Sequence, residues 1–334
     1  MLAHQVSSLQ RLGYTENEAR FLSLVAAHSG YFVQRQFSEF IGKPRGGTVN
    51  QLVRKLTRSG HAEVSRFLSQ PVVYHIHSMQ IYARLDQMDS RNHRDKAPLT
   101  VKRKLICLDF VLEHPALRFL ETQSQRVDYC TRVRGAALED LPVRWYSSQR
   151  SKQFAACHFV EKFPIYISQN AESLTAPVVH FVYIDEGAQS LSGFETFLRN
   201  YHRLFLALRA FEVIYATNDP RCTGGAERLF QRCYPETGGT TLGMLTPEAQ
   251  RLAGFFEVRR KFEARDFGGL STERIVQYRA EKQIFSGGEY EDLYHRWMEQ
   301  GDAALRAQTN AGTSLNASFR AHILTHDYGT IFGK

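Results

Sequence analysis

The chain has 334 residues, and this length favours two or three domains because single domains usually span about 100 to 200 residues. Hydrophobic residues make up 43% of the sequence and charged residues 23%, which is typical of a folded globular protein and excludes a disordered chain. No stretch approaches the roughly 18 consecutive apolar residues of a membrane span, and the start lacks the pattern of a signal peptide. The five cysteines are widely spaced, without a Cys-x-x-Cys pair. We therefore expect a reduced, cytoplasmic protein without a membrane partner.

The excess positive charge is confined to the N-terminal third of the chain. Residues 1–104 contain 16 Lys and Arg against 7 Asp and Glu, whereas the remainder contains 26 against 27. A basic segment joined to a nearly neutral body favours a polyanionic partner, since each phosphate contact releases condensed counterions. A basic face that serves only solubility is the alternative.

Three amphipathic helix patterns follow one another near the N-terminus. Thr15-Glu16-Asn17-Glu18 is a capping box that opens the first helix, which stops at Gly30. A second short helix is expected over 33–41, ending at Gly42. The third runs from Gly46 to Gly60, and its apolar residues recur at i, i+3, i+4 and i+7, namely Val49, Leu52, Val53 and Leu56. The opposite side of this helix is polar and basic.

The apolar period changes from 3.6 to 2 after the third helix. Residues 62–64 and 72–76 alternate apolar and polar on either side of the turn Leu68-Ser69-Gln70-Pro71, which predicts a β-hairpin. A short helix over 79–85 is expected next. The polar stretch that follows, to Pro98, predicts a linker.

Three helices, a basic third helix and a β-hairpin resemble the winged helix-turn-helix domain of bacterial regulators. The resemblance implies that the third helix enters the major groove of DNA and that the hairpin, or wing, follows the backbone or the minor groove. The residues implied to reach base edges are Arg45, Thr48, Asn50 and Gln51. Phosphate contacts are implied for Arg54, Lys55 and Arg58, and wing contacts for Arg66 and Gln70.

The body of the chain predicts alternating helices and strands. The expected elements are a helix over 105–112, strands over 156–160, 164–167 and 178–184, a helix over 194–208, a strand over 211–217 and a helix over 225–233. The strand, helix and strand at the end of this αβββαβ order predict a parallel pair. The aromatic stripe of the helix over 194–208 is expected in the core, although part of it could form a dimer surface.

The αβββαβ order resembles the core of the restriction-endonuclease-like fold. With the winged helix in front, the chain is similar over about residues 12–235 to the replication-relaxation family of plasmid and mobile-element proteins. That similarity implies a DNA-binding head on a degenerate nuclease-like body. We expect an α+β or α/β protein with four parts: a winged helix-turn-helix over 1–86, a linker over 87–100, an inactive nuclease-like domain over 101–240 and a helical C-terminal region over 241–334.

A nuclease of this fold needs an acid on one strand and Asp/Glu-x-Lys on the next, because two carboxylates hold Mg²⁺ and a lysine orients the attacking water. The candidates here are Glu161-Lys162 and Asp185-Glu186, and the lysine is missing where the motif requires it. We therefore expect Asp185 and Glu186 to be solvated turn residues that lead into Gly187.

Three further patterns have weaker signals for chemistry. His75 and His77 share a strand face but have no third ligand nearby in sequence, so they are expected to be surface residues or phosphate contacts and not a metal site. Cys157-His158 predicts a buried thiol beside a strand histidine. The segment from Arg221 to Ala226 lacks the spacing of a phosphate-binding loop and predicts a tight turn.

These observations favour a non-enzymatic protein that binds double-stranded DNA sequence-specifically, without a catalytic residue, metal or cofactor. The expected role is a transcriptional regulator of a mobile element or its neighbouring genes, acting as a homodimer. The main alternative is a metal-dependent nuclease or DNA-processing factor targeted by the winged helix. A third possibility is an interaction scaffold whose winged helix binds protein. The sequence identifies neither an operator nor an inducer.

Overall fold

Helices and β-strands alternate along the computed structural model, which describes residues 3–44, 46–65, 72–147, 154–160, 163–168, 177–187, 190–235, 247–268, 270–285, 287–305 and 315–329. The protein belongs to the mixed α/β class. Within these ranges no helix combines the length and apolar character needed to cross a membrane. The chain divides into two units: Met1–Glu227 together with Ser318–Lys334, and Arg228–Ala317.

The first unit begins with five helices and three short strands, here called the N-terminal module. Its elements are α1 (Ala3–Gln10), α2 (Glu16–His28), β1 (Tyr31–Val33), α3 (Gln34–Phe40), α4 (Gly47–Arg58), β2 (Ala62–Ser65), β3 (Val73–Ile76) and α5 (Met79–Arg84). The strands form an antiparallel sheet in the order β1-β3-β2, with Ala62 opposite Ile76. The predicted helices and hairpin are confirmed, whereas the three-residue strand β1 was not predicted.

Local signals explain where α2 begins and where α4 ends. The capping box at Thr15 is present, because Glu18 N donates to Thr15 Oγ1 and Thr15 N donates to Glu18 Oε2. The C-terminus of α4 is closed by Gly60 at φ +63°, with His61 N bonded to Leu56 O at 2.8 Å, which is the Schellman arrangement. The apolar stripe of α4 is buried in the core of the module.

The segment predicted to be a linker is instead packed onto the N-terminal module. Residues Arg91–His93 form a 3₁₀ helix, and the Asn92 side chain donates to the carbonyls of Ala26 and Ala27 at the C-terminus of α2. Gly30, at φ +83°, lets this turn approach closely, because a Cβ there would lie 2.3 Å from Asn92 O. The last carbonyls of α2, which have no hydrogen-bond partner within the helix, thus accept hydrogen bonds from the segment that was predicted to be a linker.

A five-stranded sheet forms the centre of the first unit. It follows α6 (Pro98–Glu113) and contains β4 (Arg118–Phe119), β7 (Ile165–Ser168), β8 (Val178–Asp185), β9 (Ala210–Thr217) and β10 (Asn316–Ile323) in the order β10-β9-β8-β7-β4. β7 is antiparallel to β4 and β8, and β8 is parallel to β9. The predicted parallel pair is confirmed.

One predicted strand is present but does not join the five-stranded sheet. The strand expected over 156–160 is β6 (Phe154–His158), which pairs with β5 (Val143–Ser147) in a separate two-stranded sheet. Its position in the main sheet is taken by β4, which has only two residues and too little pattern to be recognised. α7 (Gln123–Asp128) lies between β4 and the hairpin in sequence.

α8 (Ser192–Leu208) covers one face of the sheet with its aromatic stripe. Phe205 lies 5.0 Å from Phe181 of β8 and stacks on Phe211 of β9 at 4.3 Å between ring centroids. The residues of the stripe are almost fully buried within the chain, so the prediction of a core helix is confirmed. The alternative of a dimer surface on this stripe is wrong.

Helix α6 joins the N-terminal module to the sheet. Leu108 belongs to the core of the module, and the buried carboxylate of Asp109 binds Arg35 and Gln36 of α3. Tyr328, near the C-terminus, donates to Asp109 at 2.6 Å. The region predicted as two domains and a linker therefore forms one unit, and residues 318–334 belong to it rather than to a separate C-terminal region.

The second unit is helical. α9 (Thr223–Cys233) leads into it, and α10 (Pro247–Glu263), α11 (Thr272–Ile284) and α12 (Gly288–Gln300) follow. These three helices agree with the helical C-terminal region predicted over 241–334, whereas Asn316–Ile323 form the strand β10. Their core is aromatic, with Phe256 packed against Tyr294 and Trp297.

Candidate nucleic-acid interface

The polar side of α4 faces solvent along its length. Thr48, Asn50, Gln51, Arg54 and Arg58 are all exposed, while the opposite stripe is buried against the rest of the N-terminal module. This separation follows from the 3.6-residue period, which places apolar residues at i, i+3, i+4 and i+7 on one side only. Five of the nine residues predicted to contact DNA are therefore brought together on one accessible helix face.

Two arginines on this face have no partner within the protein. Among the described residues, neither Arg54 nor Arg58 makes a side-chain hydrogen bond, an ion pair or a stacking contact. Asn50 accepts only a long hydrogen bond of 3.4 Å from Gln34 of α3. An exposed arginine without a carboxylate partner keeps its five N–H donors available for a phosphate or a base edge.

Lys55 differs from these arginines. Its Nζ lies 2.7 Å from Oε2 of Glu18, a carboxylate with only 3% of its side chain exposed, and it also donates to Gly13 O at 3.2 Å. The lysine thus compensates a buried charge on α2. The structure gives Lys55 a structural partner in place of the phosphate contact predicted for it.

Three of the predicted DNA contacts lie outside the described residues. They are Arg45, immediately before α4, and Arg66 and Gln70, on the turn between β2 and β3. Their predicted roles stay predictions. The two strands that would carry the wing are described and are paired along their whole length, from Ala62 opposite Ile76 to Ser65 opposite Val73.

The wing histidines were predicted to be surface residues, which is wrong for His75. Its side chain is buried, stacks on Tyr31 at 4.1 Å and lies 3.1 Å from the carbonyl of Asn92. Two carboxylates, Glu63 and Asp95, lie close to it and are separated from it in sequence, which is why they were missed. Burial lowers the pKa of His75 and outweighs the opposing effect of the Asn92 carbonyl and Asp95.

The acidic pair at the end of β8 is not solvated, so that prediction is wrong. Asp185 is buried and accepts hydrogen bonds from Tyr215 at 2.8 Å and Thr217 at 3.3 Å. Glu186 is buried as well and forms a two-armed ion pair with Arg103 of α6, with Nε at 3.0 Å. Both carboxylates are therefore engaged by protein donors. Glu161 and Lys162 lie outside the described residues.

Two minor predictions have mixed outcomes. Cys157 is not buried but half-exposed, at the edge of a cavity of ≈ 700 Å³ that His158 also lines. The segment beginning at Arg221 forms a 3₁₀ turn that passes directly into α9, and Arg221 binds Asp219 at 2.7 Å. The prediction of a turn there is confirmed.

The sheet carries a hydrogen-bonded series that the sequence analysis missed. Ser168 Oγ lies 2.5 Å from His180 Nε2, and His180 Nδ1 lies 2.6 Å from Glu212 Oε2. The three residues lie on the neighbouring strands β7, β8 and β9, where His180 is directly opposite Glu212 and diagonal to Ser168, so only the strand pairing brings them together. Burial raises the pKa of Glu212, but hydrogen bonds from His180 and Arg320 outweigh it and lower the pKa overall.

Comparison with known proteins identifies no relative: no protein-family model, no curated protein and no solved structure matches the chain.

Proposed function

We propose that this protein binds double-stranded DNA through a winged helix-turn-helix formed by its N-terminal module. The observation that carries the proposal is the exposed face of α4, where Arg54 and Arg58 have no partner among the described residues. Two guanidinium groups without carboxylate partners on one helix face attract a polyanion, and their contacts with phosphates release condensed counterions.

The order of the elements supports this proposal. α2, β1, α3, α4 and the β2–β3 hairpin follow one another as the elements of a winged helix do, and β1 completes the sheet at the base of the hairpin. An α-helix with side chains is about 10–12 Å across. The major groove is about 12 Å wide and admits one helix. α4 is the exposed helix that precedes the hairpin, which is the position of a recognition helix.

The proposed roles follow from the positions along α4. Thr48, Asn50 and Gln51, in its first half, are proposed to read base edges, since amide side chains form paired hydrogen bonds with adenine. Arg54 and Arg58, in its second half, are proposed to bind phosphates. Arg45, Arg66 and Gln70 keep their predicted roles at the approach to the helix and on the wing.

A binding titration of the full chain with a labelled DNA duplex at several salt concentrations tests this proposal. Wild-type protein should bind, and log affinity should fall linearly with log salt concentration. The Arg54→Ala/Arg58→Ala variant should bind more weakly and lose about two units of the salt slope, since each phosphate contact contributes about one unit.

The matched control is Arg132→Ala/Arg199→Ala, which removes the same charge from exposed helical positions that carry i,i+4 ion pairs. It should bind DNA with the wild-type affinity and slope. If both double variants lose the same DNA affinity, net charge and not α4 determines binding, and the proposal fails. It fails equally if the wild type does not bind DNA at low salt.

We propose further that the remainder of the first unit is a nuclease-like body without nuclease activity. The elements α6, β4, β7, β8, α8 and β9 follow the order αβββαβ, with the β5–β6 hairpin inserted after the first strand. The acids at the end of β8 bind Arg103, Tyr215 and Thr217, which supports a structural role. A regulator of a mobile element, acting as a homodimer, remains our preferred biological role.

One observation favours a second candidate function, a serine-dependent hydrolase. Ser168, His180 and Glu212 have the arrangement of a nucleophile, a base and a carboxylate that orients the base. In such a reaction His180 Nε2 would take the proton of Ser168 Oγ as the oxygen attacks an ester carbonyl. It would return that proton to the alcohol that leaves as the C–O ester bond breaks, and water would then hydrolyse the acyl-serine. Labelling by a fluorophosphonate probe that disappears in Ser168→Ala would support this function, and an unlabelled wild type would exclude it.

A further inference from the structure

The C-terminal end of α6 and the strand β10 bring two histidines and a glutamate together. They are Glu113, His114 and His322, and one ligand atom from each lies within 4.8 Å of the other two. His322 Nε2 is 2.8 Å from Glu113 Oε2, and the two imidazole rings are 5.0 Å apart between centroids. More than 200 residues of sequence separate His322 from the other two, so the fold alone creates this cluster.

The histidine on α6 already has the orientation of a metal ligand. His114 Nδ1 lies 2.7 Å from the carbonyl of Phe110, to which it donates, so Nε2 carries the free lone pair. Histidines bound to metals almost always donate their other ring nitrogen in this way, because the bond holds the tautomer and the ring. Phe110 also stacks on His114 and meets His322 edge-on, which restricts both rings.

The carboxylate is also held in place. Thr325 Oγ1 donates to Glu113 Oε1 at 3.3 Å, while His322 approaches Oε2. Both carboxylate oxygens of Glu113 therefore have hydrogen-bond partners, which hold the side chain beside the two histidines.

We propose that Glu113, His114 and His322 bind a divalent transition-metal ion of the Zn²⁺ class. Two imidazoles and one carboxylate suit Zn²⁺, with metal–ligand bonds of about 2.0–2.2 Å. Tetrahedral geometry then places the ligand atoms about 3.3 Å apart, so His322 and Glu113 need to separate slightly and His114 needs to move by only a short distance. Three protein ligands leave one position for water, consistent with the partial exposure of the three residues.

The metal would crosslink β10, the last strand of the sheet, to the C-terminal end of α6, because His322 lies on β10 and Glu113 and His114 lie at that end of the helix. His322 Nε2 and Glu113 Oε2 share a hydrogen bond of 2.8 Å, and metal binding would replace it with two metal–ligand bonds. β10 leads to Tyr328, which binds Asp109 one to two helical turns away on α6. Metal binding is thus expected to stabilise the attachment of the C-terminal segment, and this inference does not depend on DNA binding.

Spectroscopy of the full chain, stripped with a chelator and free of any histidine tag, tests the proposal. Co²⁺ should produce visible d–d absorption that Zn²⁺ abolishes by displacement, and Mg²⁺ should not compete, because it prefers octahedral oxygen ligands. His114→Ala and His322→Gln should each weaken Zn²⁺ binding by at least about 100-fold, beyond the 10- to 100-fold typical of losing an outer-shell partner. Zn²⁺ should also raise the melting temperature of the wild type but not of the variants.

Two controls separate this site from other ligands in the chain. His326→Gln removes a histidine of the same C-terminal segment, which pairs with Glu39, and should bind Zn²⁺ as the wild type does. Glu63→Gln/Asp95→Asn removes the carboxylates around His75 and should also leave the cobalt spectrum unchanged. Circular dichroism of the chelated variants checks that they fold.

The proposal is overturned if the wild type gives no cobalt spectrum. It is equally overturned if the spectrum survives in both His114→Ala and His322→Gln, or if it disappears only in Glu63→Gln/Asp95→Asn.

Discussion

Lys55 Nζ lies 2.7 Å from Glu18 Oε2, and this ion pair fastens α4 to the capping box at the start of α2. Glu18 is buried and also accepts a hydrogen bond from Thr15 N at 2.7 Å. One carboxylate therefore caps one helix and positions another. The residues of α4 therefore have different roles: Lys55 stabilises the module, while Arg54 and Arg58 remain available for a ligand.

Lys55→Met should destabilise the protein and change DNA affinity little. The substitution leaves the Glu18 carboxylate buried without its cation, which should lower the free energy of unfolding by about 1 to 3 kcal/mol. Urea denaturation measures this loss. The control Arg20→Met breaks an exposed i,i+4 pair with Glu16 and should cost less than about 0.5 kcal/mol. These roles would be contradicted if Lys55→Met kept the stability of the wild type but lost as much DNA affinity as Arg54→Ala.

Asp109→Ala should be among the most destabilising substitutions in the first unit. The carboxylate is buried and binds Arg35 at 2.9 Å, Gln36 at 2.8 Å and Tyr328 at 2.6 Å. Removing it leaves the largely buried Arg35 without its main partner, which should lower the free energy of unfolding by about 3 kcal/mol or more.

Tyr328→Phe serves as the graded comparison for Asp109→Ala, because it keeps the ion pair of Asp109 with Arg35 and removes only a hydroxyl, which donates to Asp109 and accepts from Arg35 and Gln36. It should cost about 1 to 2 kcal/mol. Calorimetry of both variants checks the order of the two losses. If Asp109→Ala and Tyr328→Phe have the same melting temperature, the Asp109 cluster does not hold the N-terminal module to α6.

Lys104 should make the stability of the protein rise with pH in the alkaline range. Burial, and then the nearby Arg126, Lys96 and Arg103, lower the pKa of Lys104 to about 8 in the folded protein, from 10.5. Between these two values the unfolded chain holds a proton that the folded chain has released, so raising the pH favours folding. The free-energy cost of burying the charged lysine is constant below pH 8 and absent above pH 10.5.

Lys104→Met should therefore stabilise the protein at pH 7 by about 3 kcal/mol, since the pKa falls from 10.5 to about 8 and one pKa unit corresponds to about 1.4 kcal/mol. The difference in stability between variant and wild type should shrink as pH rises from 8 to 10. Chemical denaturation at each pH measures this, with Lys102→Met, a half-exposed neighbour on α6, as the control. A difference that does not vary with pH would contradict the account.

Local and periodic signals predicted much of the fold. The capping box at Thr15, the apolar stripe of α4 and the alternating strands of the hairpin each specify an element within a few residues, so these elements were found. The parallel pair followed from the strand, helix and strand order around α8. In each case the pattern lies within one element or between adjacent ones.

Contacts between distant residues could not be predicted in the same way. Lys55 and Glu18, or Ser168, His180 and Glu212, meet only because particular helices and strands pack together. β10 was missed although its sequence alternates, from Asn316 and Ser318 to Arg320 and His322, because the tail offered no second strand to pair it with. Recognising that alternation would have placed His322 on a strand, but not beside Glu113.

The measurement that most directly tests sequence-specific DNA binding is selection of duplexes from a random pool by the full chain. Wild-type protein should enrich one sequence, and Asn50→Ala/Gln51→Ala should lose about 1 to 3 kcal/mol of discrimination per base contact while its salt slope stays unchanged. A wild type that enriches no sequence, or a double variant that selects the same sequence equally well, would contradict the assignment of base recognition to α4.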